Sequence, residues 1–381
     1  MTDDRQTTSS QAIRRLHTIS ADPRTYVRDW KARTGGKVIG TLCSYAPEEL
    51  ILAGGALGVR ILGGSGITAK ADTHLQSYSC SLVRSALDQA LSGRLDFLDG
   101  VIFPHTCDSI QRLSDIWRMS AATGFHLDVV LPVKFNTPSA LNYLLSVMTS
   151  TRSELERLLG KPITEDDLAG AIDTLNGIRR IIQHLYTIRW ERPGAIAGGD
   201  LHTIVRASMI MDRHDFLHHL SQVEDEIVRQ TDGQAATGKR IFLSGGICNL
   251  PDVYSLIEAA GGTVVGDDLC TGSRGVTGLI DTAGDPLKAI ADRYLRRVVC
   301  PAKHTGITSR GDDLVSRVAE SRAQGVIFLL LKFCDPHAFD YPFLKARLAE
   351  VGIPSLLMEL EEQSVSQGQF RTRCEAFLEM L

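Results

Sequence analysis

The chain has 381 residues, 43% of them hydrophobic, and a formal net charge of −4. That length supplies core enough for two domains rather than one, and the slight acidity argues against a nucleic-acid partner, which needs a concentrated basic surface. The polar start Met1-Thr2-Asp3-Asp4-Arg5-Gln6 lacks the apolar core of a signal peptide, and no apolar run reaches the roughly eighteen residues of a membrane span. A cytoplasmic protein without membrane contact is expected, and its eight cysteines are expected as thiols rather than disulfides.

Along the chain, apolar stretches at 37–43, 59–63, 100–103 and 127–133 read as strands, each followed by residues at helical spacing. From 139 to 238 apolar positions recur at i, i+3 and i+4, as in Leu155, Leu158, Leu159 and in Ile178, Ile181, Ile182, Leu185, so the middle is helical. Thr164-Glu165-Asp166-Asp167 carries a capping signature in which Thr164 accepts a helix-start amide and Asp167 reaches back. Breaks are expected at Arg192-Pro193-Gly194 and at Gly198-Gly199-Asp200. Strands resume at 240–244, 263–266, 326–331 and 355–359. The βαβ pattern thus occurs twice. It predicts an α/β fold of two Rossmann-like parallel-sheet domains, 1–138 and 239–381, joined by a helical segment, 139–238.

The third strands of the two halves end alike. Gly100-Val101-Ile102-Phe103 runs on to Cys107-Asp108, and Gly325-Val326-Ile327-Phe328 to Cys334-Asp335, at the carboxyl ends where parallel sheets place their ligand crevices. Cys80 opens the helical run Cys80-Ser81-Leu82-Val83-Arg84-Ser85-Ala86-Leu87, and a helix amino terminus stabilises a thiolate. Cys80, Cys107 and Cys334 are therefore candidate ligands of one metal cluster. Burial as a small apolar residue is the competing reading. It is preferred for Cys43, Cys248, Cys270, Cys300 and Cys374, although Cys43 also ends a strand. Zinc is the rival metal, but no C-x-x-C pair is present. An iron–sulfur cluster accepts ligands from distant segments, and three cysteines leave one iron open to a substrate.

Ser44 lies at a strand-to-helix junction facing the same crevice and is a candidate hydrogen-bond donor to a substrate carbonyl. Glu48 and Glu49 follow as acidic residues suited to a helix start. Gly63-Gly64-Ser65-Gly66, Gly245-Gly246 and Gly272-Ser273-Arg274-Gly275 could bring backbone amides to a phosphate, with Arg274 adding charge. Neither G-x-x-x-x-G-K-[ST] nor a convincing G-x-G-x-x-G occurs, so nucleotide chemistry is not expected from this chain. His105, near the Cys107 strand end, reads as a proton carrier or as a structural histidine.

Taken together, Gly40-Thr41-Leu42-Cys43-Ser44-Tyr45-Ala46-Pro47-Glu48-Glu49-Leu50, Tyr78-Ser79-Cys80-Ser81, Pro104-His105-Thr106-Cys107-Asp108 and Lys332-Phe333-Cys334-Asp335 resemble the 2-hydroxyacyl-CoA dehydratase and benzoyl-CoA reductase family. The ending Gln367-Gly368-Gln369-Phe370-Arg371-Thr372-Arg373 is similar to that family's carboxyl-terminal signature. The resemblance spans nearly the whole chain, and the length is similar to the smaller cluster-bearing subunit of ATP-dependent benzoyl-CoA reductases. It implies a [4Fe-4S] cluster on Cys80, Cys107 and Cys334 and a homologous cluster-bearing subunit as partner. It also implies a separate ATP-hydrolysing iron–sulfur activator that passes single low-potential electrons.

The implied substrate is an aromatic acyl-CoA thioester, reduced to a cyclic dienoyl-CoA, and Ser44 takes the place of a donor to the thioester oxygen. Where some relatives have a further carboxylate, this chain has Ile61-Leu62, which favours reduction over dehydration. An (R)-2-hydroxyacyl-CoA dehydratase subunit, a stand-alone double-cubane cluster reductase of small molecules and a metal-free scaffold subunit remain as alternatives.

Overall fold

A computed structural model describes residues 11–64, 66–229, 238–248, 253–297, 300–303, 305–306, 308–361 and 367–381. These residues contain two four-stranded parallel sheets of one topology. The first holds β1 (Val38–Thr41), β2 (Leu57–Arg60), β3 (Gly100–Pro104) and β4 (Phe125–Val129) in the order β2-β1-β3-β4. The second holds β5 (Lys239–Gly245), β6 (Gly262–Asp268), β7 (Gly325–Leu331) and β8 (Ser355–Leu360) in the order β6-β5-β7-β8. Strand order reverses beside β1 in one and beside β5 in the other, and such switch points open a crevice at the carboxyl edge. Every residue of β3 and β7 is buried, as expected for central strands covered on both faces.

Helices α1 (Gln11–Ala21) and α2 (Pro23–Thr34) precede the first sheet, and α3 (Glu48–Ala53), α4 (Ser81–Leu91) and α5 (Asp108–Ser120) connect its strands. The middle consists of α6 (Ala140–Leu159), α7 (Glu165–Glu191), α8 (Gly198–Ser208) and α9 (Arg213–Arg229). In the second half α10 (Val253–Ala259), α11 (Pro286–Arg296), α12 (Ser309–Glu320) and α13 (Asp335–Glu350) connect the strands, and α14 (Gln367–Glu379) follows.

Thr164 caps α7 as its sequence indicates. Its hydroxyl accepts the Asp167 amide at 3.1 Å, and the Asp167 carboxylate accepts the Thr164 amide at 2.8 Å. The 27 residues of α7 pack against both α3 and β6. Arg179 of α7 forms a buried ion pair with Glu49 of α3, while Tyr186 donates to Asp267 of β6 at 2.5 Å. One helix therefore positions the carboxyl edges of both sheets.

Three expectations shift. The second strand covers 57–60 rather than 59–63, because the chain leaves the sheet at Gly63, whose φ of +74° and contact with Ser85 exclude a side chain. The fourth strand ends at Val129 and does not run to 133, where Pro132 has no amide to give a ladder. Gly198 and Gly199 do not break the helical middle; they open α8. The break falls at 192–197, stitched by Arg189, which donates to the carbonyl of Ile196 at 2.5 Å and to that of Val264 at 2.7 Å.

Candidate metal centre

Cys80, Cys107 and Cys334 are the N-cap residues of α4, α5 and α13. Cys107 follows β3 and Cys334 follows β7, so the two lie beyond equivalent central strands of the two sheets. Burial pushes the Cys107 thiol up to about 12, with the neighbouring Cys80, Cys43 and Cys300 adding to the shift, while the Ile110 amide at the start of α5 opposes it. Cys334 is raised well above the ordinary thiol value by burial, then by Cys80 and Cys107, and the His337 amide opposes that rise. The three sulfurs thus lie within one another's electrostatic reach, each on the positive end of a helix.

The turn that delivers Cys334 is strained. Phe333 has a φ of +63°, a left-handed conformation that a bulky side chain rarely takes, and it redirects the chain from β7 into α13. Cys334 Sγ lies 3.3 Å from His337 Nδ1, and His337 Nε2 lies 3.5 Å from Arg274 Nη1. Arginine only donates, so Nε2 accepts and the ring proton sits on Nδ1, facing the sulfur. Burial, then Arg274, lowers His337 to about 3, which keeps the ring neutral.

Beneath this shell Arg274 and Arg310 hold Asp268 at 3.0 and 3.2 Å. Burial would raise the Asp268 carboxyl, but the two guanidiniums outweigh it and keep it well below the usual range. The positive charge of Arg274 is spent here and on a bond to Cys270 Sγ at 3.0 Å, so the Gly272–Gly275 segment is not an open phosphate loop. Gly245, with φ +155°, allows β5 to pass the Leu329 carbonyl of β7, where a Cβ would sit 2.0 Å from oxygen. Of the third glycine-rich piece, Ser65 lies outside the described residues.

Three cysteines assigned to simple burial also belong to this region. Cys43 follows β1, Cys270 follows β6, and Cys300 follows α11. Burial pushes Cys300 up to about 11, with Cys270 and Cys43 as charged neighbours. Cys43 and Cys300 also contribute to raising the Cys107 thiol, and Cys270 to raising that of Cys334. Six cysteines therefore surround the carboxyl edges of the sheets. A strand-end rule applied evenly would have caught Cys43 and Cys270; nothing local marks Cys300. Cys248 and Cys374 are core residues, as expected, and no disulfide joins any of the eight.

Among the described residues no three His, Cys, Asp or Glu side chains are close enough to hold a single metal ion. A cluster asks for less, because each thiolate binds a different iron and its ligands stand apart around the cube. Buried thiols on three helix amino ends suit it: iron would replace their protons, and the amide dipoles would favour the negative charge that results.

Ser44 sits at the mouth of the β1–α3 junction. Arg297 donates to its carbonyl at 2.8 Å and to its hydroxyl oxygen at 3.1 Å. Glu48 and Glu49 do more than suit a helix start: they form ion pairs with Arg213 and Arg179. His105 is tied to Asp128 at 2.9 Å, within a group that includes Ser114 and His126, which is a structural role.

The model of the family described as 2-hydroxyglutaryl-CoA dehydratase, D-component, matches residues 43–381. The chain belongs to this family. It is 29% identical over 363 residues to the (R)-phenyllactyl-CoA dehydratase beta subunit of Clostridium sporogenes, covering 95% of this chain and 96% of that one. It is equally 29% identical over 366 residues to a subunit of the benzoyl-CoA reductase of Thauera aromatica, covering 94% of each. With the (R)-2-hydroxyglutaryl-CoA dehydratase beta subunit of Acidaminococcus fermentans the identity is 26% over 380 residues, 98% of this chain and 99% of that one. Membership of the dehydratase family thus matches the resemblance read from the sequence. Dehydratase and reductase relatives stand at the same identity, so similarity does not choose between lyase and oxidoreductase. None of the described helices is long and apolar enough to cross a membrane.

Proposed function

We propose that this chain is an iron–sulfur subunit of a reductase. It works beside a homologous cluster-bearing subunit, takes low-potential electrons from an ATP-hydrolysing iron–sulfur activator, and serves the reduction of an aromatic acyl-CoA to a cyclic dienoyl-CoA. One observation carries the reading: Cys80, Cys107 and Cys334 bring three helix amino ends from both halves to one buried region. A [4Fe-4S] cluster bound there supplies single electrons at low potential. The chain itself supplies thiolate ligands, exclusion of water and the dipoles that stabilise their charge.

The hydroxyl of Ser44, whose oxygen accepts from Arg297, keeps its proton to donate to a thioester oxygen as charge develops there. Reduction is favoured over dehydration because the carboxylates that follow Ser44 in the first turn of α3, Glu48 and Glu49, are both tied to arginines. The cavity at Ser44 measures about 80 Å³, far below the roughly 300–1,000 Å³ that encloses a drug-sized ligand. That supports a substrate site completed by the partner subunit, and the relatives named above are themselves subunits.

A second reading is favoured by the other cysteine group. Cys43, Cys270 and Cys300, beside the first three, would give a double-cubane cluster its additional ligands, in a stand-alone reductase of small molecules. Iron and acid-labile sulfide, measured anaerobically, separate the two. About four of each per chain, lost in C80A, C107A and C334A but kept in C270A and C300A, is the expected result for the first. About eight of each, reduced in all five variants, selects the second. Iron-free wild-type protein would remove both.

A further inference from the structure

The cavity between β1, α3, α7 and α11 is lined by five guanidiniums, Arg60, Arg179, Arg213, Arg293 and Arg297, and by the Ser44 hydroxyl. Two of the five are spent in ion pairs, Arg179 with Glu49 and Arg213 with Glu48. The remaining three have no carboxylate in ion-pair contact among the described residues. Arg293 donates to the carbonyls of Gly275, Thr277 and Gly278 at 3.1, 3.0 and 2.9 Å. Arg297, only 5% exposed, reaches Ser44 and lies 3.7 Å from the centre of the Tyr45 ring. Carbonyls and rings orient a guanidinium but carry no net charge, so the carboxylates that oppose these charges, Glu48 for Arg60 and Glu49 for Arg293, act from beyond ion-pair contact and are themselves paired with Arg213 and Arg179. The Nε atoms of Arg60 and Arg297 are buried with no hydrogen-bond partner among the described residues.

From this geometry we infer that the cavity is a binding site for a small oxyanion, a carboxylate or an inorganic oxyanion of only a few heavy atoms. Guanidinium forks match such oxygens in shape as well as charge. Ser44 adds a neutral donor, because its oxygen already accepts from Arg297 and its proton is left to give. A cavity of about 80 Å³ holds several waters, hence an ion of sulfate or acetate size, and is by itself too small for a nucleotide. Cys43 borders the same space, so the anion would sit beside the cysteine-rich region. Binding does not depend on the proposed reductase function; only a role for the anion as electron acceptor rests on that reading.

The test is calorimetric titration of the anaerobically purified, iron-assayed full chain with sulfate, phosphate or acetate at constant ionic strength, and with neutral acetamide. One saturable site per chain for at least one of the anions, none for acetamide, and at least about tenfold weaker binding in R60Q and R297Q is expected. Acetate alone would identify a carboxylate site, and sulfate or phosphate an inorganic-oxyanion site. If R297Q fails to fold, R60Q decides, since it removes no hydrogen bond of Arg60 Nε to any described residue. No saturable binding, or unchanged affinity in the variants, overturns the inference. So does an iron-bearing wild type that binds no anion while R60Q loses iron, which would mean that the guanidiniums balance cluster charge instead.

Discussion

A hydroxyl whose oxygen already accepts from a guanidinium has its proton left to give, and Ser44 is in that position beneath Arg297. The Arg297 charge also makes that proton a better donor. Ser44→Ala should lower acyl-CoA reduction with the activator by about ten- to a thousandfold, the usual loss of one oxyanion donor, without loss of iron. Unchanged turnover would place the thioester elsewhere. His202 shows the opposite economy of a buried polar group: both ring nitrogens lack a partner among the described residues, and the ring lies against Tyr254 at 4.8 Å between centres. Burial, and then Arg206, lowers it from the ordinary 6.5 to about 3. Between those values the unfolded chain takes a proton that the folded one refuses, so stability is complete above pH 6.5 and falls as pH falls. From pH 7 to pH 4.5 this amounts to about 3 kcal/mol. Denaturant unfolding of His202→Leu at the two values should show a pH dependence smaller than the wild type's by that amount, and equal slopes would refute the assignment.

At the scale of elements, what was legible in the sequence is what local chemistry decides. Apolar runs located all eight strands because central parallel strands tolerate little else. The cap of α7 was legible because a capping box lies within four residues. Cys80, Cys107 and Cys334 could be singled out because each precedes a helical pattern, two of them after a strand. Boundaries were harder: Gly63 and Pro132 end strands through a backbone angle and a missing amide, which hydrophobicity does not report. Least legible were contacts between distant elements. Arg274 and His337 are 63 positions apart, and Ser44 and Arg297 are 253 apart. No periodicity encodes such pairs. The grouping of Cys43, Cys270 and Cys300 belongs to the same class, since their common feature is arrival at one edge of two sheets.

The molecule as a whole depends on α7 holding those edges together. Glu49 is fully buried against Arg179, and although burial would raise its carboxyl, Arg179 and then Arg293 outweigh that and lower it. Such a pair contributes little compared with a well-packed apolar substitute, but removing one partner strands the other charge in the core and costs about 3–5 kcal/mol. Against a typical stability of roughly 5–15 kcal/mol, that is a large fraction. Glu49→Ala should therefore lower the unfolding free energy by about 3–5 kcal/mol in denaturant titrations. The damage should reach the proposed cluster as well. Cys80 and Cys107 come from the first half and Cys334 from the second, while Glu49 is bonded to Arg179 of the central helix. If α7 sets the spacing of the halves, anaerobically purified Glu49→Ala loses iron to a chelator faster than the wild type. Glu49→Ala combined with Arg179→Met, which removes the stranded charge, should recover much of both stability and iron retention. A variant with reduced stability but wild-type iron release would show that the ligands are held by their own helix amino ends, independently of the central helix.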